Sequence, residues 1–480
     1  MIGKLARSGA FWTFVSMIGK YALSFLATAA LSRLLSPNDF GLIGMVMTVT
    51  TLFQVFSDMG LSLATVQRSK LTVADFNNLF WINLAMGAAI SICCVAASPF
   101  LAQFYRRPEL VSITGVLGLG FAIGGISAQP TALMRRRMQL KQLLLFEILG
   151  LVVAAAVGVA MAAMGCGYWA LVAQSLLTQG VVAVCALAYT RYIPELPRFS
   201  EGTRHLLKFG GYLTLYGVVN YFARNLDNVL VGRFWGAEQL GYYSRAYTLM
   251  MLPTYLATSS MMGVMVPALS AVAQDRQQLA NGYRKAIFCI ALLGLPLAVG
   301  LAAAAHEVVR LLYGPKWGPV VPLLFWLSLA GTGMPIHNTM GWLYVAVGKT
   351  KSLFWWGVVG SAILCAGFAV GVRWGALGVA ISYAILMLCC LTLPALLLAH
   401  RAADIEFLPT LRLLVRPLAA SLLMGSAMWL CGRLLSMQNI AWGIVFAAKI
   451  VVGAVLYGGL CGRALRTMLL NFRNPAVAPA

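Results

Sequence analysis

Fourteen apolar stretches, each long enough to cross a lipid bilayer, occupy most of this chain. They cover 9–33, 40–66, 77–99, 110–134, 141–164, 167–189, 209–234, 241–266, 285–304, 318–347, 352–373, 375–398, 413–435 and 439–462. A helix needs about 20 apolar residues to cross a hydrocarbon core of about 30 Å, and within lipid each backbone polar group must find its partner inside the segment. Hydrophobic residues make up 61% of the chain and charged residues only 10%, whereas soluble domains carry about 25% charged residues. The chain therefore reads as an all-α integral membrane protein. The first stretch is too long and too polar along one face for a cleaved secretory leader, so it is read as retained.

The basic residues set the orientation. With the N-terminus cytoplasmic, 23 of the 35 lysines and arginines fall in cytoplasmic segments, 8 on the opposite side and 4 (Lys20, Arg224, Arg245 and Lys449) within apolar stretches. This asymmetry predicts both termini inside and an even number of spans. It also accounts for most of the net charge of +22 as a basic face on anionic lipid, with no nucleic acid required. The Arg135-Arg136-Arg137 run belongs to that face.

A repeat runs through the pattern at an offset of 200 residues. Trp12, Ser16, Lys20, Ser24 and Thr28 recur four apart and share one helical face, and Tyr212, Tyr216, Asn220, Arg224 and Asn228 take the same places in the second copy. Leu31-Ser32-Arg33 through Asp39-Phe40-Gly41 matches Val231-Gly232-Arg233 through Gln239-Leu240-Gly241, with an acidic turn and a glycine in register. Tyr105-Arg106-Arg107-Pro108 resembles Tyr313-Gly314-Pro315-Lys316, and Lys141 resembles Lys351, at a slightly larger offset. Six spans per copy is even, so the copies run parallel. The expected division is an N-lobe over 1–189, a cytoplasmic linker over 190–208, a C-lobe over 209–398, and a helical pair with a cytoplasmic tail over 399–480.

Charged side chains within a bilayer cost at least about 2.5–3.5 kcal/mol at a helix centre, so each one asks for a reason. Lys20 and Arg224 lie near the middle of the first and seventh stretches, and Asp227 follows Arg224 by three residues on the same face. Asp58 falls in the second half of the second stretch, with Glu147 and Arg245 nearer the ends of theirs. Two readings stand side by side: Arg224 with Asp227, and Lys20 snorkelling or paired with Asp58, are structural, or the cations face a wet path and attract an anionic group. The hydrogen-bonding stripe through Tyr216 and Asn220 favours the second. The candidate substrate-binding residues are accordingly Lys20, Arg224, Asn220, Tyr216 and Arg245, and Asp58 and Asp227 are candidates for coupling to H+ or Na+. His205, His306, His337 and His400 make no cluster, although His337 could titrate near neutral pH. The ten cysteines read as small apolar packing residues within the stretches, without metal-ligand spacing. No zinc motif, phosphate loop or nucleophile elbow occurs, so no cofactor is implied and an enzyme has no footing.

The stretches LSRLLSPNDFGLIGMVM (31–47), LFQVFSDMGLSLATVQ (52–67), LDNVLVGRFWGAEQLGYYSRAYTL (226–249) and LYGPKWGPVVPLL (312–324) resemble the polysaccharide-transporter branch of the multidrug/oligosaccharidyl-lipid/polysaccharide exporter superfamily. Within that branch they are similar to Wzx-type flippases of the colanic acid exporter kind. The resemblance implies two six-helix lobes around a central cavity lined by spans 1, 2, 7 and 8, with alternating access carrying a polyprenyl-diphosphate-linked oligosaccharide to the outer leaflet of a bacterial inner membrane. It places Lys20, Asp58, Arg224, Asp227 and Arg245 on cavity-lining helices, and the Arg33–Asp39 and Arg233–Glu238 loops at their outer ends as shapers of a gate. Membrane lipids and polysaccharide polymerase or export proteins are the implied partners. A drug exporter of the same superfamily is the nearest alternative, and its cargo would call for mainly acidic cavity groups. A polymerase or ligase would call for a long external loop, and a non-transporting subunit of an assembly complex is a third reading.

Overall fold

The computed structural model describes residues 19–20, 22–58, 73–195, 201–438 and 440–473, with the side chains of 55, 58, 73–75, 201–220, 222–224, 256–257, 259–264 and 467–473 outside that description. The described residues are helical almost throughout. In chain order the long helices are α1 (Ala22–Leu34), α2 (Pro37–Asp58), α3 (Val73–Tyr105), α4 (Glu109–Arg136), α5 (Leu140–Ala163), α6 (Trp169–Thr190), α7 (201–235), α8 (237–271), α9 (Arg276–Ala303), α10 (Val320–Ala346), α11 (Thr350–Gly371), α12 (375–403), α13 (Phe407–Met437) and α14 (Trp442–Arg473). Each apolar stretch of the sequence corresponds to one of them. Nine helical stretches among the described residues are long and apolar enough to cross a membrane, and the one over 350–403 holds both α11 and α12. This is a multi-pass, all-α membrane protein.

Two details depart from the sequence expectations. Residues 201–208, assigned above to the linker, are the opening turns of α7. Cys166 sits exposed in the turn between α5 and α6 rather than inside a stretch, whereas Cys94 and Cys461 are buried as expected of small packing residues.

Contacts divide the chain into two compact units, 1–241 and 242–480. In the first, α3 and α4 pack closely, and the Ser91 hydroxyl hydrogen-bonds both the Gly87 carbonyl in its own helix (2.9 Å) and the Gly118 carbonyl across the interface (2.7 Å). Such small-residue and hydroxyl contacts hold helices together where lipid removes any hydrophobic drive for association. In the second, α9, α10 and α12 share a core of Tyr283, Ile287, Leu343 and Leu396. The Tyr283 hydroxyl hydrogen-bonds Thr339 at 2.8 Å. Buried His400 is held at both ring nitrogens, 2.7 Å from the Leu396 carbonyl and 2.9 Å from Thr410 Oγ1. Against an amide carbonyl the neutral ring presents Nδ1–H, so Nε2 accepts from Thr410. The appended pair α13 and α14 joins α9 through Leu292, Val299, Met424 and Tyr457.

The turns carry the repeat more clearly than the helices do. Left-handed backbone occurs at Arg106 (φ 56°) and Gly314 (φ 91°), at Met138 (57°) and Gly348 (71°), at Gly165 (81°) and Gly375 (80°), and at Arg191 (49°) and Asp404 (54°). Partners in each pair stand 208 to 213 residues apart, close to the offsets of 208 and 210 at which Tyr105/Tyr313 and Lys141/Lys351 match. A positive φ is costly for non-glycine residues, so its recurrence at matching helix ends marks duplicated turns.

Candidate functional site

The elbows α1–α2 and α7–α8 are equivalent in the repeat but are built differently. In the first, the Ser36 backbone N–H (2.9 Å) and hydroxyl (2.6 Å) both donate to Asp39 Oδ2, while Asp39 N–H donates to Ser36 Oγ at 3.3 Å. This reciprocal cap starts α2. Asp39, in the loop expected with Arg33 to shape a gate, caps the helix. The second elbow has Gly236 where the first has Ser36, and Gly236 turns the chain with φ 83° and ψ −179°. Arg233 lies 5.4 Å from the centre of the Phe104 ring.

The two elbows touch through their glycines. A Cβ built on Gly41 would fall onto the Ala237 carbonyl oxygen, and one on Gly241 onto the Pro37 carbonyl oxygen. Residues 37 and 237, and 41 and 241, are repeat equivalents, so the contact is self-complementary, as two-fold interfaces are. Gly44 faces Leu240, and Gly232 faces Leu240 and Met45.

Deeper in the same unit is a polar cluster. The Tyr105 hydroxyl donates to Thr48 Oγ1 at 3.1 Å, and Thr48 donates onward to the Met45 carbonyl at 2.6 Å. Tyr221 on α7 is an electrostatic neighbour of both Tyr105 and Asp227. Asp227 is only 2% exposed, and its Oδ1 accepts the Asn228 N–H at 2.8 Å.

Lys20 pairs with Glu147 on α5, and Arg135 at the end of α4 is a further electrostatic neighbour. The structural alternatives for Lys20 were snorkelling or Asp58, whose side chain lies outside the described residues; the described partner, Glu147, is 127 residues away in sequence. Glu147 lies seven residues into α5, about 10 Å along its axis at 1.5 Å per residue. Even so the pair keeps 30% and 25% of its side-chain surface accessible. The part of both side chains that the protein leaves uncovered can be hydrated, which would spare some of the several kcal/mol per ion that full desolvation costs.

In the second unit, Arg245 is an electrostatic neighbour of Tyr313, whose ring lies 5.4 Å from that of Trp317. Tyr243, Tyr247, Tyr383 and Phe368 form an aromatic tier nearby, with centroids 5.8 to 6.4 Å apart. Of the remaining candidates, Tyr216, Asn220 and Arg224 lie on α7, where the helical backbone keeps their four-residue spacing on one face; their side chains, and that of Asp58 at the end of α2, are outside the described residues. Trp12 and Ser16 are outside them as well.

A second ion pair went unread in the sequence. Lys449 on α14 reaches Glu307, in the short helix Ala305–Leu312, at 2.7 Å, and also donates to the Ala303 carbonyl at 3.1 Å. Both side chains are less than 8% exposed. Gly432 on α13 makes the crossing possible, since a Cβ there would occupy the position of Lys449 Cε. A lysine amid an apolar stretch was the available signal, but its partner lies 142 residues away.

Residues 30–322 match the family described as "Polysaccharide biosynthesis protein". The succinoglycan biosynthesis transport protein ExoT of Rhizobium meliloti (strain 1021) is 26% identical over 483 residues, covering 98% of this chain and 96% of its own. The lipopolysaccharide biosynthesis protein WzxC of Escherichia coli (strain K12) is 23% identical over 385 residues, 78% of this chain and 77% of its own. Among solved structures, the lipid II flippase MurJ in an inward closed conformation superposes with a TM-score of 0.75 over 96% of this chain and 99% of its own, at 14% identity. That likeness establishes the shared helical fold.

Proposed function

This chain belongs to the polysaccharide biosynthesis protein family, and on that footing we propose that it is a flippase for polyprenyl-diphosphate-linked oligosaccharides, moving them from the cytoplasmic to the outer leaflet of a bacterial inner membrane. The observation that carries the reading is the half-open Lys20–Glu147 pair with Arg135 beside it. The diphosphate is the part of the cargo that hydrocarbon resists most, and a wet path edged with cations lowers that barrier while the lipid tail stays in the bilayer. The chain acts as a transporter, and no chemical step is assigned to it.

Lys20 and Arg224 meet the diphosphate in this reading, Tyr216 and Asn220 bond the sugars, and Arg245 completes the cationic lining in the second half of the chain. Asp58 and Asp227 take up H+ or Na+ and so reset the local charge for release. Both termini are cytoplasmic, the lobes correspond to 1–189 and 209–398, and a polysaccharide polymerase receives the product.

The test is complementation of a flippase-deleted strain with wild type, Lys20→Ala, Arg224→Ala and Arg224→Lys at matched membrane abundance. Surface polymer should vanish and lipid-linked repeats accumulate in both alanine variants, with partial recovery in Arg224→Lys. Full export by both alanine variants would sink the cationic path.

A further inference from the structure

A cavity of about 620 Å³ opens beside the Glu307–Lys449 pair, between the short helix Ala305–Leu312 and the facing ends of α10, α13 and α14. This size falls within the roughly 300–1,000 Å³ of small-molecule sites. Its walls are aromatic: Phe325 and Trp326 at the start of α10, and Trp429 near the end of α13. Arg433 stacks over Trp429, 5.4 Å from the ring centre, and His306 stands exposed at the mouth. Phe325 and Trp429 are 40% and 54% exposed, so each keeps part of its ring uncovered by protein.

The floor is an acceptor. Glu307 is 5% exposed, and Oε1 takes the Lys449 ammonium while Oε2 is buried with no hydrogen-bond partner among the described residues. A buried carboxylate oxygen left in this way costs free energy until a donor reaches it. Phosphate is a poor donor here: Lys449 is already neutralised by Glu307, and the free lone pairs of Oε2 repel its oxygens. Hydroxyl groups satisfy both the geometry and the sign. Aromatic faces suit the C–H faces of a pyranose as they suit other flat or amphipathic groups, and Arg433 and Ser436 at the rim offer further polar contacts.

We propose that this cavity is a saccharide-binding pocket, in which a shift of the Glu307 side chain opens Oε2 to a sugar hydroxyl and the ring lies against Trp326 and Trp429. Its lining residues all belong to the second unit, and none of them is a residue assigned to the path. In the proposed topology it opens on the side opposite the termini, where it would hold the glycan end of cargo already carried across. In that last respect it rests on the flippase reading; sugar binding itself does not.

The test uses the full-length protein in lipid nanodiscs and saturation-transfer difference NMR with cellobiose, lactose and glucuronic acid as probes. Wild type should give saturable transfer with at least one probe. Trp429→Ala, at an exposed position, should weaken it at least about tenfold, a change of about 1.4 kcal/mol in binding. Glu307→Gln should do the same, with a thermal melt to verify folding; if that variant fails to fold, Trp429→Ala decides. No saturable transfer from any of the three sugars, or equal binding in wild type and Trp429→Ala, would overturn the pocket. So would displacement of the sugar by inorganic phosphate, or binding that appears only when phosphatidylglycerol is left out of the nanodisc, since either marks an anionic-headgroup site. A wild type that flips but binds no sugar overturns the pocket alone, whereas failure of wild type to flip overturns the flippase reading and leaves the binding result standing.

Discussion

Gly41 and Ala237 meet backbone to backbone, so that the Cα hydrogen of the glycine occupies the place a Cβ would need against the Ala237 carbonyl oxygen. The twin contact, Gly241 on Pro37, makes the seam symmetric. Backbone cannot yield as a side-chain tip can, so an added methyl forces the elbows apart. Gly41→Ala and Gly241→Ala should each cost about 1–3 kcal/mol, the usual range for overpacking, and should reduce export at normal abundance. Gly124→Ala is the control: nothing lies within 4 Å of a Cβ there, so it should be neutral or stabilising by up to about 1 kcal/mol. Thermal melts in detergent, read beside surface polymer, check both.

The Lys20–Glu147 pair separates assembly from transport. Lys20→Glu and Glu147→Lys each place like charges side by side and should lower membrane abundance, by less than the roughly 3–5 kcal/mol of a fully buried pair because this one is partly solvated. The double exchange should restore abundance but leave export impaired, since the cation would then stand on α5. Recovery of export along with abundance would make the pair purely structural.

The Lys449–Glu307 pair predicts the opposite pattern. Both side chains are buried, so Glu307→Ala, which strands the ammonium, should cost about 3–5 kcal/mol. Glu307→Leu combined with Lys449→Met should recover most of that stability. Quantitative blotting of membranes and thermal melts measure the difference.

At the start of the linker, Tyr192 donates to Asn77 Oδ1 at 2.5 Å, Asn77 donates to Glu195 at 3.4 Å, and Trp81 holds the Glu195 carbonyl at 2.8 Å. Burial, with Glu195 adding to it, pushes the Tyr192 phenol up to about 12 from its ordinary 10. The folded protein therefore holds that proton longer than the unfolded chain, and the stability linked to it is whole below pH 10 and lost as the pH rises through about 12. Tyr192→Phe should flatten this alkaline limb and cost about 1 kcal/mol at neutral pH, the worth of one hydrogen bond. Unfolding midpoints between neutral pH and the alkaline limit test both effects.

How far the sequence could be read depends on the range of the interaction. The helices were legible because spanning a bilayer is a local property of some twenty residues. The repeat was legible at Tyr105/Tyr313 and Lys141/Lys351, and the left-handed turns at Arg106/Gly314 and Met138/Gly348 carry it into the backbone. Partner choice was not legible. Lys20 finds Glu147, and Lys449 finds Glu307, by helix packing that leaves no trace in local spacing. The cap at Asp39 is local and could have been read from Ser36 three residues earlier. The pocket beside Glu307 needed residues from five helices.

The most direct test of the central claim is flipping by the purified protein in proteoliposomes. A polyprenyl-diphosphate-linked oligosaccharide with a fluorescent sugar is placed in both leaflets, and the fraction quenched by a membrane-impermeant reductant is followed with time. Wild type should bring the whole fluorescent pool within reach of the reductant, and Lys20→Ala and Arg224→Ala should slow that exchange at least about tenfold, or about 1.4 kcal/mol in barrier. A protected inner-leaflet pool that persists with wild type, or equal rates in wild type and both variants, would contradict the account.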